Sequence, residues 1–292
     1  MKKAVAILVN DVHIDKNNGE LIKDIFNQLS SLCHERSINE IWVGGDVFTN
    51  RSGQPLSCLT TWKEILENLM DEGILIRVIP GNHDKTDADD ERSYLDVYSE
   101  QYLYSVGTCV SVDGLDVVFV PYFKDEKWLE EWKRADAKRN KKRPAVLVTH
   151  MGFDGVANND GSKVESIIKP SMFSDYKSVL IGHYHNASKI AKNVFYTGSA
   201  YQNNYGENIT DKGFTIVYSD GSTEFVASRF PKYIKKVISA DDKESLQNLL
   251  ENYEGETYDH IRFEFVGKKT DCQRINIAEI QGKYGICLLY TS

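Results

Sequence analysis

The sequence predicts an α/β fold. Five short apolar runs each end in a polar cluster, helical apolar stripes lie between several of them, and the order is strand, helix, strand, helix, strand. Ala4–Val9 comes first and leads into Asn10-Asp11-Val12-His13. Its β-branched run shows no polar alternation, so it reads as a strand buried on both faces. Glu20–Arg36 follows, with Leu21, Ile22, Ile25, Phe26, Leu29 and Leu32 on one helical stripe. Ile41-Trp42-Val43 is the next strand and leads into Gly44-Gly45-Asp46. Leu59–Met70 repeats the helical stripe with Trp62, Ile65, Leu66 and Leu69.

Three further strands follow the same rule. Ile74–Ile79 leads into Pro80-Gly81-Asn82-His83-Asp84, Ala145–Val148 into Thr149-His150, and Val179–Ile181 into Gly182-His183-Tyr184-His185. Trp128 and Trp132, four apart, predict the buried face of one more helix. From about Phe195 the texture changes. Phe214–Tyr218 and Glu224–Val226 flank Ser219-Asp220-Gly221-Ser222, a hairpin turn. After Pro231 the pattern is strand (Tyr233–Ile238), helix (Asp242–Tyr253) and strand (His260–Val266), a small α/β appendage. The domains are therefore expected at residues 1–230 and 231–292, the second in a truncated form because no structural end is evident at Leu289–Ser292.

Composition narrows the class. The chain has 292 residues, 41% of them hydrophobic, enough to build a core and too many for a disordered segment. No run approaches the roughly 20 apolar residues that span a bilayer. The apolar start is cut at Asn10-Asp11, short of a secretory core, so a cytoplasmic protein without a membrane partner is expected. The five cysteines form no closely spaced pair and read as reduced, packed thiols. Net charge is −8, which excludes general adhesion to DNA. One basic run, Lys133–Arg143, holds seven cations against Asp136 alone. It reads first as a solvated helix face and second as a phosphate-contacting patch.

In open α/β sheets, ligands bind outside the carboxyl ends of strands. Five of the seven histidines fall there: His13, His83, His150, His183 and His185. They sit beside Asp11, Asp46, Asn82 and Asp84. Carboxylate, amide and imidazole donors together suit first-row divalent ions. Their number exceeds one ion and suits two that share a bridging carboxylate, the arrangement that generates hydroxide and neutralises a transferring phosphoryl group.

Asp11-Val12-His13, Gly45-Asp46, Gly81-Asn82-His83-Asp84, His150 and Gly182-His183-Tyr184-His185, in this order, resemble the calcineurin-like metallophosphoesterases over roughly residues 1–230. Phe195-Tyr196-Thr197-Gly198-Ser199, Tyr205-Gly206-Glu207 and Asp211-Lys212-Gly213-Phe214 are similar to a segment of the SbcD-type repair nucleases, a group that includes phage recombination endonuclease subunits. The resemblance implies a β-sandwich flanked by helices with a small C-terminal α/β cap. It implies two divalent ions, Mn²⁺ foremost, with Mg²⁺, Fe²⁺ or Zn²⁺ as alternatives. Asp11, His13 and His185 would hold the first ion, Asn82, His150 and His183 the second, and Asp46 both. His83 would face the scissile phosphate, and Asp84 would orient His83. DNA, an SbcC-type coiled-coil ATPase and a second copy of the chain are the implied partners, in the host cytoplasm if the chain is phage-encoded.

Two positions depart from the family. Asn10 stands where it usually has Ser, and Thr49 where the nuclease branch carries His or Asp. Arg51, nearby, is the candidate to replace the lost phosphate contact, although a plain surface arginine is the simpler reading. Tyr184 is a second candidate substrate contact, by base stacking. The expected activity is a DNA exo- or endonuclease. The rivals are a phosphomonoesterase or small-molecule phosphodiesterase, and a non-catalytic scaffold of the same fold. The intact ligand set argues against the last.

Overall fold

The apolar runs become the central strands of two sheets. The computed structural model describes residues 2–156, 163–207, 210–242, 244, 260–272, 274–276, 278 and 287–291. The chain divides into two units, Met1–Tyr201 with Thr210–Arg229, and Gln202–Ile209 with Phe230–Ser292.

The first unit runs β1 (Ala4–Val9), α1 (Gly19–Arg36), β2 (Glu40–Val43), α2 (Leu56–Asp71), β3 (Leu75–Val78) and β4 (Tyr102–Leu103). It continues with β5 (Thr108–Val112), β6 (Leu115–Val120), α3 (Asp125–Asp136), β7 (Ala145–His150), β8 (Ser178–Gly182), β9 (Ser188–Ala191), β10 (Val194–Tyr196), β11 (Gly213–Tyr218) and β12 (Thr223–Ala227). One sheet has the order β12-β11-β1-β2-β3-β4, and the other β5-β6-β7-β8-β10-β9. The strands β1, β2 and β3 pair in parallel, as do β6, β7 and β8, while antiparallel hairpins lie at an edge of each sheet.

The continuous apolar runs are explained by burial on both faces. Along β6, Leu115, Val117 and Phe119 join Val5, Leu8, Trp42, Val146 and Val148 in a core shared by the two sheets. The intervening Val118 and Val120 join Leu147, Val179, Trp128 and Phe173 in a second core. That core takes Trp128 from α3, and the rings of Trp128 and Trp132 stack with centroids 6.2 Å apart. On the first sheet α1 packs on β1 and α2 on β3, and Phe26 meets Trp62 edge to face at 5.4 Å. The Asp220-Gly221 turn joins β11 to β12 as expected. A second Asp-Gly turn at Asp113-Gly114, with φ of 48° and 83°, joins β5 to β6 and was not singled out from the sequence.

In the second unit β13 (Tyr233–Ser239), β14 (His260–Val266) and β15 (Cys287–Thr291) form a parallel three-stranded sheet. The helix expected over Asp242–Tyr253 lies outside the described residues, apart from Asp242 and Glu244. Gln202–Ile209, assigned by sequence to the first domain, groups with this unit. Cys33, Cys58, Cys109 and Cys272 are free thiols, and burial pushes Cys33 up to about 12. Among the described residues no helix is long and apolar enough to cross a membrane.

The basic run is largely neutralised by its own surroundings. The Arg139 side chain is 2% exposed, pairs with Asp136 at 2.6 Å and with Asp175, and lies 4.1 Å from the Tyr176 ring centre. Lys141 pairs with Asp136 at 2.7 Å, and Arg143 reaches Asp116 at 3.6 Å. Arg139 therefore holds the exit of α3 to the loop before β8, where Asp175 and Tyr176 lie. Arg139→Ser is expected to destabilise the protein by about 1–3 kcal/mol, less than a fully buried pair because Asp175 is half exposed. Lys138→Ser and Lys142→Ser should stay within about 0.5 kcal/mol. Urea denaturation of the three variants measures the difference.

Candidate metal centre

Backbone hydrogen bonds continue past the strand ends and interlock the loops there. Beyond β1 and β2, Asp11 N–H donates to Gly45 O at 3.1 Å, His13 N–H to Asp46 O at 2.9 Å and Ile14 N–H to Val47 O at 2.8 Å. Carrying that pairing through tight turns forces unusual backbone. Six non-glycine residues have positive φ among the described residues, and four of them are Asp11 (53°), His13 (50°), Asp46 (54°) and His183 (95°). Each costs on the order of 1 kcal/mol, and such residues gather at functional sites.

These turns aim their side chains at one another. Asp11, His13 and His185 form one group of potential ligands, and Asp46, His150 and His183 another; within each group the ligand atoms lie within 4.8 Å of one another. His13 Nε2 and His185 Nε2 are 2.9 Å apart. Asp46 Oδ2 stands between the groups, 3.2 Å from His150 Nε2 and 3.7 Å from His13 Nε2. Asn82 turns its amide oxygen to the second group, 3.1 Å from His150 Nε2 and 2.8 Å from His183 Nδ1. All seven residues singled out as ligands thus meet in one place.

The donor set fits divalent cations. His150 Nδ1 donates to Gly44 O at 2.9 Å, which turns Nε2 towards the oxygens of Asn82 and Asp46. A proton or a metal ion can stand between that nitrogen and those oxygens, and a ring fixed by a backbone carbonyl is the usual support of a ligating imidazole. Burial first, then the neighbouring His150, pushes His183 down to about 4. Burial likewise lowers His13. Both are thereby kept in the neutral form that ligates. Burial opposes charge on Asp46 and His150 too, but their mutual attraction overrides it: Asp46 is held well below the carboxylate range and His150 is raised to about 9.

His83 lies at the rim, half-buried, with its ring 5.1 Å from that of His13. Its backbone N–H donates to Asp46 Oδ1 at 2.8 Å, and its Nδ1 meets Thr49 O. Arg51 reaches His83 Nε2 at 3.3 Å. Tyr184 is half-buried and edge-on to His183, with ring centres 4.9 Å apart.

Asp84 corrects an expectation. Its carboxylate does not orient His83 but accepts from Gly81 N at 2.8 Å, Phe48 N at 3.0 Å and Val47 N at 3.2 Å. The turn at Gly81–Asp84 folds this side chain into the protein, where three peptide donors outweigh one imidazole. Burial, then Asp46, pushes its carboxyl up to about 7 against those donors. Asp84 is a structural clamp that ties the loop after β3 to the loop after β2.

Sequence reasoning missed several supports. Thr49 donates its hydroxyl to His13 O at 2.8 Å and offers its carbonyl to His83. Buried Lys212 donates to His185 O. Tyr122 stacks on His183 with ring centres 6.1 Å apart. Tyr122 follows β6, so the strand-end rule would have found it had that strand been recognised.

Residues 5–187 match the calcineurin-like phosphoesterase family. The chain is 21% identical over 249 residues to the putative phosphoesterase 078R of invertebrate iridescent virus 3, covering 81% of this chain and 69% of that protein. It is 27% identical over 191 residues to exonuclease subunit 1 of Enterobacteria phage T4, covering 62% of this chain. That match spans about half of the phage protein, 54% of its length. Among solved structures it is similar to the calcineurin-like phosphoesterase YfkN of Bacillus subtilis, with 11% identity, a TM-score of 0.41 and coverage of 78% of this chain and 89% of that one.

Two substitutions test the centre. Asp46→Ala is expected to bring bound metal towards zero, because its carboxylate serves both ligand groups. Gly45→Ala should do nearly the same without removing a ligand. Gly45 has φ +102°, and a Cβ there would lie 2.5 Å from His150 Nδ1. Metal content by mass spectrometry after Mn²⁺ loading is the measurement. Two ions retained in Asp46→Ala would remove it as the bridge.

Proposed function

From the premise that the chain belongs to the calcineurin-like phosphoesterase family, we propose that its substrate is DNA and that it works in repair or recombination beside an SbcC-type coiled-coil ATPase. The observation that carries a phosphoesterase reading is Asp46 Oδ2 standing between two convergent ligand groups, with His83 at the rim and outside both. Members of this family are hydrolases that bind two divalent ions. Such a pair supplies a nucleophilic hydroxide at neutral pH and neutralises charge on the transferring phosphoryl group.

The chain's own residues do the rest. Asp11, His13 and His185 would hold one ion, Asn82, His150 and His183 the other, with Asp46 placed to serve both. His83 carries no ligand duty, which leaves its ring to protonate the leaving oxygen. Its peptide bond to Asp46 fixes the ring relative to the bridge. Tyr122 stacks on His183 and Tyr184 meets it edge-on, which holds the His183 ring in place.

The DNA reading is supported by the Phe195–Phe214 segment and by the likeness to a phage exonuclease subunit. The partner reading is supported by charge. With net charge −8 and its basic run paired internally, the chain has little grip of its own on a polyanion. An ATPase partner or a second copy would supply further contacts.

A digestion panel in Mn²⁺ tests the substrate: single-stranded DNA, blunt duplex DNA, a cyclic dinucleotide and a nitrophenyl phosphate monoester. Cleavage of DNA without ATP is expected. Turnover confined to the monoester would replace this reading with the phosphomonoesterase alternative. His83→Ala should keep both ions while turnover falls by roughly 10²–10⁴. Unchanged turnover would take His83 out of the mechanism.

A further inference from the structure

Both ring nitrogens of His83 are engaged. Nδ1 lies against Thr49 O, and Nε2 lies 3.3 Å from Arg51 Nη2. A carbonyl only accepts and a guanidinium only donates. The two contacts therefore fix a neutral His83, with its proton on Nδ1 and its Nε2 accepting from Arg51. The nitrogen that must face a leaving oxygen is capped by a cation.

Arg51 differs from most arginines of the first unit. Arg77 clamps Glu40 at 2.8 Å, Arg92 holds Asp90 at 2.8 Å, and Arg139 and Arg143 pair with Asp136 and Asp116. Among the described residues no carboxylate pairs with Arg51, although the chain carries 43 acidic residues. Its loop is nonetheless fastened. Tyr94 donates its hydroxyl to Arg51 O at 2.9 Å, Ser52 N–H donates to the Asn50 side chain at 3.0 Å, and Thr49 ties the start of the loop to His13. A fixed backbone thus presents an exposed guanidinium, without an anion, beside two ligand groups for divalent ions.

We propose that Arg51 is the phosphate-docking residue of this site and that it exchanges His83 for the substrate's phosphodiester. In the free protein the guanidinium rests on His83 Nε2, a neutral acceptor offering one lone pair. A phosphodiester offers two charged oxygens that match the fork of donors, a bidentate and charge-assisted pairing that displaces the weaker contact. The exchange docks the phosphate and uncovers Nε2 at the same moment, so that this nitrogen can take from solvent the proton it delivers to the leaving oxygen.

This inference rests on the phosphodiesterase reading, and its test separates the two. The Mn²⁺-loaded protein, Arg51→Gln and Arg51→Lys are compared for metal content, for kcat and KM on bis(4-nitrophenyl) phosphate, and for binding of inorganic phosphate by calorimetry. Arg51→Gln should keep both ions, raise KM and the phosphate dissociation constant by about 10- to 100-fold, and change kcat less. Arg51→Lys should fall between, since it restores charge without the fork. A merely structural arginine would move stability or metal content instead of phosphate affinity. Phosphate affinity and KM within twofold of the parent in Arg51→Gln would overturn the assignment. If the parent hydrolyses no phosphodiester, the functional reading fails, and calorimetry still decides whether Arg51 docks phosphate.

Discussion

The rest of the centre depends on one buried carboxylate held in a left-handed turn. Asp46 sits at the end of β2 with φ 54° and 2% exposure. A buried anion is tolerated only when its oxygens are engaged on every side. Here Oδ1 takes the His83 peptide N–H, Oδ2 faces His150 and His13, and the Asp46 carbonyl takes the His13 N–H. One residue therefore joins the loops after β1, β2 and β3 to the end of β7. The glycines around it follow from this. A Cβ on Gly81 would lie 2.2 Å from Asp46 Oδ1, and one on Gly45 would meet the His150 ring.

The frame that bears this strain is apolar and doubly buried. The shared core sets the spacing of the two sheets, and the outer core fixes α3 against the second sheet. A polar thread runs from that helix to the back of the centre. Trp128 Nε1 donates to Thr149 Oγ1 at 2.8 Å, and Thr149 donates to Val120 O at 2.8 Å. This fastens β7 to β6 one residue before His150. Packing that looks remote from the chemistry thereby sets the height of a ligand.

Charge is distributed by the same logic. The acidic excess is not a property of the centre alone: in the basic run of α3 and its exit, Arg139, Lys141 and Arg143 pair with Asp136, Asp175 and Asp116. Among the described residues near the ligand groups, Arg51 is a guanidinium without a carboxylate partner, on a fastened loop. The paired cations serve the fold, and recognition is the role proposed for the exposed one.

Much of the fold was legible because the central strands β1, β2, β7 and β8 are short, apolar and buried on both faces, so their residues alone mark them. The candidate ligands were legible for a related reason. A cation needs hard oxygens and imidazoles at strand ends, and Asp11, His13, Asp46, Asn82, His150, His183 and His185 have few other reasons to recur there. The β5–β6 hairpin was overlooked despite its Asp-Gly turn, and Tyr122 was overlooked with it. Other decisions belong to the tertiary structure alone. Asp84 stands beside His83 in the chain yet clamps backbone from two loops, because a tight turn sends neighbouring side chains to opposite sides. Arg139 looked like part of a cationic patch and is a buried tie, because its partner Asp175 comes from 36 residues away. The sequence determined which chemistries this chain carries, since residue type sets what can bind a cation. Which side chains serve the centre and which hold it up was decided by long-range packing, since donors and acceptors find partners across space and not along the chain.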